Sequence, residues 1–170
     1  KKRIEQRGFH IHSISSPIGK SYITEDFTVH LKGFMRAIEL TKFFDTPFIR
    51  IFSFYIPKGE NIGKYRDEVI KRIEQLTRTA EREGIILMLE NEKDLYGNNG
   101  ERLRDILQTI NSPHLRFALD PANFVQSMVL PMTDAFPEVE PYLAWVQIKD
   151  ALINSRSGGG WGWGSKETDS

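Results

Sequence analysis

Two acidic residues stand where an alternating strand–helix chain usually keeps its chemistry. Glu90 directly follows the apolar run Ile85-Ile86-Leu87-Met88-Leu89, and Asp120 directly follows Leu115-Arg116-Phe117-Ala118-Leu119. In parallel α/β folds, reactive side chains sit at the carboxyl ends of strands. A carboxylate at such a rim is costly to desolvate unless it is paired or metal-bound. Two acids on neighbouring strand ends are expected roughly 5 Å apart at the backbone, and like charges that close favour a cation between them. The competing reading is plainer: one acid caps a helix or meets a basic group, and Asp120-Pro121 is also ordinary turn chemistry. The sequence has no cysteine, so a metal site must use oxygen and imidazole ligands. That choice suits a divalent ion such as manganese, magnesium, cobalt or zinc.

Other polar residues fall near the same rim. Asn123 follows Asp120 by three positions, within reach of one cleft; the alternative is a polar loop residue. Gln147 and Lys149 share a face if the segment ending there alternates as a strand. Lys149 then holds a hydroxyl, an enediolate oxygen or a phosphate, or pairs with Asp120 or Glu90. Arg50, inside Ile49-Arg50-Ile51, either points into the interior or pairs structurally. His10 and His12 alternate on the first apolar segment and are candidates to face the cleft, while His30 and His114 read as surface or helix-edge residues. No phosphate-loop, Gly-x-Gly-x-x-Gly or Gly-x-Ser-x-Gly signature is present.

The elements that must position these residues alternate along the chain. Strands are expected at 9–14, 48–53, 85–89, 115–119 and 142–148. Helices are expected at 27–44, about 65–83 and 100–111, with a weaker one at about 133–140. In the first of these, Leu31, Phe34, Met35 and Ile38 share an inner face, Thr24 reads as the N-cap, and Glu25 and Asp26 suit the positive end of the dipole. Gly84 stands where a helix C-cap belongs. Five strands alternating with helices point to a parallel α/β architecture. Residues 1–152 form the expected domain, and the Gly/Trp-rich residues 153–170 read as a tail, a loop or an artefact.

Composition narrows the function classes. Lysine plus arginine equals aspartate plus glutamate at 23 each, so the basic excess of a dedicated nucleic-acid binder is absent. No apolar run approaches the roughly 20 residues of a membrane span. The charged start Lys1-Lys2-Arg3-Ile4-Glu5 lacks the apolar stretch of a signal peptide. The expectation is a cytoplasmic protein acting without nucleic acid or membrane.

Five segments in order then carry a resemblance: Ile14-Ser-Ser-Pro-Ile-Gly-Lys20, Ile49-Arg-Ile-Phe-Ser-Phe-Tyr55, Leu89-Glu-Asn-Glu92, Leu119-Asp-Pro-Ala-Asn-Phe124 and Val146-Gln-Ile-Lys-Asp-Ala151. Over about residues 1–152 the chain resembles the sugar phosphate isomerase/epimerase family of xylose isomerase-like TIM barrels. The resemblance implies a (β/α)₈ barrel of which this chain holds about strands two to six. Open strand edges of that kind invite pairing with a second copy. It also implies a divalent metal held by glutamate, aspartate, histidine and glutamate. Glu90 matches the first ligand and Asp120 the second, and Gln147 replaces the histidine. The last glutamate has no counterpart here. Asn123 and Lys149 match substrate-binding positions of the family, and Arg50 and His12 are further substrate-binding candidates from their strand positions. The implied reaction on a sugar or sugar phosphate is proton transfer next to a carbonyl through an enediolate, with Glu90 as catalytic base. Without the second glutamate, weak or no activity is expected of this chain alone. Two alternatives stand beside it: a catalytically inactive barrel segment acting as an interaction module, and an endonuclease-like metal hydrolase of the same barrel type.

Overall fold

The helix that follows the first strand shows why this chain forms layers. Its buried residues Phe34, Ala37, Ile38 and Thr41 recur at three- and four-residue spacing, so one stripe meets the sheet. Met35, expected on that stripe, is 47 % exposed, and Ala37 and Thr41 take the inner positions. The N-cap is Asp26, whose side chain accepts from the Thr28 N–H; the helix therefore starts two residues beyond Thr24.

The structure is a computed structural model and describes residues 1–149 and 151. Residues 153–170, read above as a tail, lie outside the described residues. The strands are β1 (Ser13–Ser15), β2 (Phe48–Ile51), β3 (Ile86–Glu90), β4 (Leu115–Leu119) and β5 (Leu143–Val146). All neighbours pair in parallel, in the order β1-β2-β3-β4-β5. The α-helices are α1 (Lys2–Glu5), α2 (Phe27–Phe44), α3 (Arg66–Arg82), α4 (Gly100–Ile110), α5 (Pro121–Gln126) and α6 (Phe136–Val139). This is the expected alternation, with three differences. β1 is shorter than residues 9–14, because α1 and a turn at Gly8 occupy the start and leave Phe9 66 % exposed. A helical turn not foreseen, α5, follows Asp120. The weak helix at 133–140 is a π-helical turn, Pro131–Ala135, running into α6.

Alternation along each strand separates two faces. Ile49, Ile51, Leu87, Leu89, Phe117 and Leu119 face the helices and build the core with residues such as Phe34, Ile73, Leu76 and Ile106. The other face carries Arg50, Met88, Ala118 and Trp145 and lines a cleft of about 460 Å³. That face is concave. The His12 ring stacks on Phe48 of β2 at 4.9 Å and meets Trp145 of β5 at 4.2 Å, so the first and last strands bend toward one another.

The loop after β1 is fixed against the loop after β2. Phe52 N–H donates to the Ile18 carbonyl at 2.7 Å, and Phe54 N–H donates to the Gly19 carbonyl at 2.9 Å. Gly19 has φ +89°, and a Cβ there would stand 1.9 Å from the Phe52 carbonyl oxygen. His30 accepts a hydrogen bond from the Gly19 N–H, and burial lowers its pKa, which keeps the ring neutral for that role. His30 therefore anchors this loop from the edge of its helix.

Gly19→Ala combines a forbidden contact with a left-handed backbone, so it is expected to cost more than about 2 kcal/mol of folding stability. Urea unfolding checks this; a variant as stable as the parent would contradict the close approach.

Candidate functional site

The concave face continues toward the carboxyl ends of the strands. Met88 is followed two residues on by Glu90, and Ala118 by Asp120. The ladder pairs Glu90 with Ala118, so the acids are staggered by two residues and not side by side. Both are buried, with 3 % of Glu90 and 1 % of Asp120 exposed. Each has a basic neighbour. Arg50 Nη1 is 3.2 Å from Glu90 Oε2, and Lys149 Nζ donates to Asp120 Oδ2 at 3.0 Å.

Two asparagines hold the acids in place. Asn91 is fully buried; its Nδ2 donates to the Asp120 carbonyl and its Oδ1 accepts from the Asp120 N–H, both at 2.8 Å. This side chain thus joins the end of β3 to the end of β4. Asn123, on α5, donates through Nδ2 to the Asn91 carbonyl at 2.9 Å and to Glu90 Oε1 at 3.4 Å, and accepts from Lys149 Nζ at 2.7 Å. Asp120 also caps α5, its Oδ1 accepting from the Asn123 N–H at 3.0 Å. Helix capping and site membership, posed as alternatives in the sequence, coexist in one carboxylate.

Glu90 is the electrostatically unusual member. Burial pushes its carboxyl pKa up, the Asp120 charge adds to the rise, and Arg50 opposes it. Among the described residues its Oε2 makes no hydrogen bond, its contact being the Arg50 charge at 3.2 Å. A buried carboxylate oxygen without a donor is costly and is the kind of atom a hard cation satisfies. The donor set fits such an ion in kind, being carboxylate and amide oxygen. It is short in number, since no group of three histidine, aspartate or glutamate side chains is arranged for a metal among the described residues.

The remaining candidates separate. Gln147 N–H donates to the Leu119 carbonyl at 2.8 Å, which brings residue 147 beside the end of β4, and it lines the cleft. His12 stands before β1, at the amino-end level of the strands. It packs on Phe48 and Trp145, and Thr46 Oγ1 donates to its carbonyl. The structure brings it to that ring stack, away from the acids. Two rim residues not singled out in the sequence are Lys20 and Glu92, which pair at 2.7 Å. Their signal was position alone: each follows a strand end within a quoted segment.

This curved parallel sheet, with acids at its carboxyl rim, is a segment of a TIM-type barrel. A family model described as xylose isomerase-like TIM barrel matches residues 1–167, and the chain belongs to that family. No curated protein sequence matches it. Among solved structures it is similar to the probable 3-DHS dehydratase AsbF of Bacillus anthracis, with TM-score 0.72, 19 % identity, 85 % of this chain and 52 % of that chain covered. It is similar to a xylose isomerase-like TIM barrel protein of Mycobacterium smegmatis in complex with magnesium, with TM-score 0.66, 20 % identity, 87 % of this chain and 54 % of that one. It is also similar to a D-tagatose 3-epimerase-like protein, with TM-score 0.73, 17 % identity, 88 % and 60 %. The chain thus spans between half and three-fifths of these relatives' length. Among the described residues, no helix is long and apolar enough to cross a membrane.

The raised Glu90 pKa has a defined sign in stability. The folded state holds that proton more tightly than the unfolded state, so the benefit is complete below the ordinary glutamate value of 4.5 and is lost as pH rises through the raised value. Glu90→Gln removes this dependence. Urea unfolding from about pH 4 to about pH 8 should show the parent losing stability relative to Glu90→Gln as pH rises; a constant difference would contradict the buried, proton-retaining carboxyl.

Proposed function

We propose that this chain carries the Glu90–Asp120 part of a divalent-metal-dependent isomerase or epimerase site, acting on a sugar or sugar phosphate by proton transfer next to a carbonyl. The observation behind this reading is Glu90 itself: a buried strand-end carboxylate with one oxygen that makes no hydrogen bond among the described residues, close enough to Asp120 to feel its charge. Glu90 and Asp120 would hold the ion, with the Gln147 amide oxygen as a neutral third donor. When bound, such an ion stabilises negative charge building on substrate oxygens.

The protein's own groups do the rest. Glu90 would be the base that takes the carbon-bound proton. Asn123 orients it through the 3.4 Å contact to Oε1. Lys149, already bonded to Asp120 and Asn123, holds a substrate hydroxyl or phosphate oxygen at the opposite side. The enediolate formed after proton removal places its negative charge near Lys149 and Arg50. A sugar substrate agrees with the D-tagatose 3-epimerase-like neighbour, and a divalent ion with the magnesium complex.

A second reading, a barrel segment without catalysis, is favoured by one feature: each acid already has a basic partner. Proton exchange separates the two, because it needs a single base and no second glutamate. With manganese and a ketose in deuterated water, deuterium should enter at the carbon beside the carbonyl. Glu90→Gln and Asp120→Asn should each slow this by at least about 100-fold. No exchange in the parent, or exchange unchanged in both variants, would leave only the non-catalytic reading.

A further inference from the structure

One side chain that titrates near neutral pH holds the loop after β1. The Gly19 N–H donates to His30 Nε2, so that nitrogen keeps its lone pair and the ring proton sits on Nδ1. The next residue, Lys20, reaches across the end of the sheet. Its Nζ pairs with Glu92 at 2.7 Å and stands 4.4 Å from the centre of the Phe52 ring. Glu92 follows the end of β3 by two residues, so this ion pair ties the loop to the rim beside Glu90. The surroundings of the half-buried His30 oppose a second proton on the ring. Phe27 and Phe54 lie beside it, with ring centres 6.1 Å and 5.9 Å away. From α3, Arg72 stands over the same two rings, its Cζ 5.0 Å from Phe27 and 5.6 Å from Phe54, and is held there by Glu68 at 2.8 Å. From the segment before α2, Glu25 supplies an opposing negative charge, while the capping Asp26 is turned to the Thr28 N–H.

We propose that His30 is a pH-sensitive latch for the loop at 16–20: the neutral ring holds the Gly19 N–H, and the imidazolium releases it and frees Lys20 from Glu92 at the rim. This is independent of the reading of Glu90 as a metal ligand. The physics is the loss of an acceptor. Protonation at Nε2 puts an N–H where the lone pair was, so two donors face each other and the Gly19 N–H loses its partner. The new positive charge also stands between apolar rings and near Arg72. Burial and Arg72 together lower the His30 pKa from the ordinary 6.5, and Glu25 offsets part of this. The sign follows: the latch is complete above 6.5 and is lost as pH falls through the lowered value. Gly19 has little freedom to adapt while docked, because its backbone lies directly on the Phe52 carbonyl. Losing the bond therefore moves the loop away from β2 and carries Lys20 with it.

The test is amide hydrogen exchange of the full chain, followed by NMR from about pH 4.5 to about pH 7.5 and corrected for the intrinsic pH dependence of exchange. The His30 ring nitrogen signals report its protonation in the same samples. As His30 gains its second proton, protection of the Gly19 amide should fall by at least about tenfold, while the amides of β2 and β3 keep theirs. The Lys20 side-chain signals, shifted by the Phe52 ring, should move to exposed-lysine positions with the same midpoint. His30→Gln offers an amide oxygen to the Gly19 N–H and does not titrate, so its loop should stay protected across the whole range. His30→Leu removes the acceptor and should leave the loop open at every pH, with β2 and β3 still protected. Gly19 protection that ignores the His30 titration, or falls equally in His30→Gln, overturns the latch. Lys20 signals that stay in place while Gly19 opens, or a ring that remains neutral until the whole chain unfolds, overturn it as well.

Discussion

The constraint on which this structure turns is the burial of one carboxylate, Glu90, at the end of a hydrophobic strand. A charge there is expensive, and the surrounding polar groups offset part of that cost. Arg50 supplies countercharge, Asn123 a weak donor, and the nearby Asp120 makes matters worse. Among the described residues one oxygen is still left without a hydrogen bond. A chain selected for stability alone would place a leucine or methionine at this position, as it does at Met88 one layer below. Strain of this kind is a common mark of functional sites.

The rest of the rim serves to keep that arrangement fixed. Asn91 replaces backbone pairing where β3 and β4 end, and its paired bonds set the position of Asp120. Asn123 reaches that network because Asp120 and Pro121 start a helix there, so the cap and the site share one carboxylate. On the other side, Gly19 lets the loop after β1 lie directly on the Phe52 carbonyl, which brings Lys20 to the rim. The two acids thus stand at strand ends, and a loop fixed against β2 carries Lys20.

Much of this was legible in the residues. Five apolar runs separated by helical spacing gave the parallel sheet, and strand-end position alone pointed to Glu90, Asp120, Asn123 and Lys149 as neighbours. What pattern could not convey was register and partner choice. The two-residue stagger of the acids depends on how β3 slides against β4, which no local signal encodes. Asn91 looked like one polar residue among three in Glu90-Asn91-Glu92, and only its buried double bond to Asp120 distinguishes it. His12 misled because alternation gives the face of a strand but not the level along it; it faces inward, beside Phe48 and Trp145, below the rim. Thr24 gave way to Asp26, since both types can cap and it is Asp26 whose side chain accepts from the Thr28 N–H.

The central claim is that Glu90 and Asp120 exchange their basic partners for one shared divalent ion. Anomalous diffraction from crystals of this chain soaked in manganese tests it most directly. The account predicts a peak bonded to an oxygen of each acid, with the Arg50 guanidinium moved off Glu90. Saturating manganese with no peak there, and with Arg50–Glu90 and Lys149–Asp120 still in contact, would contradict it.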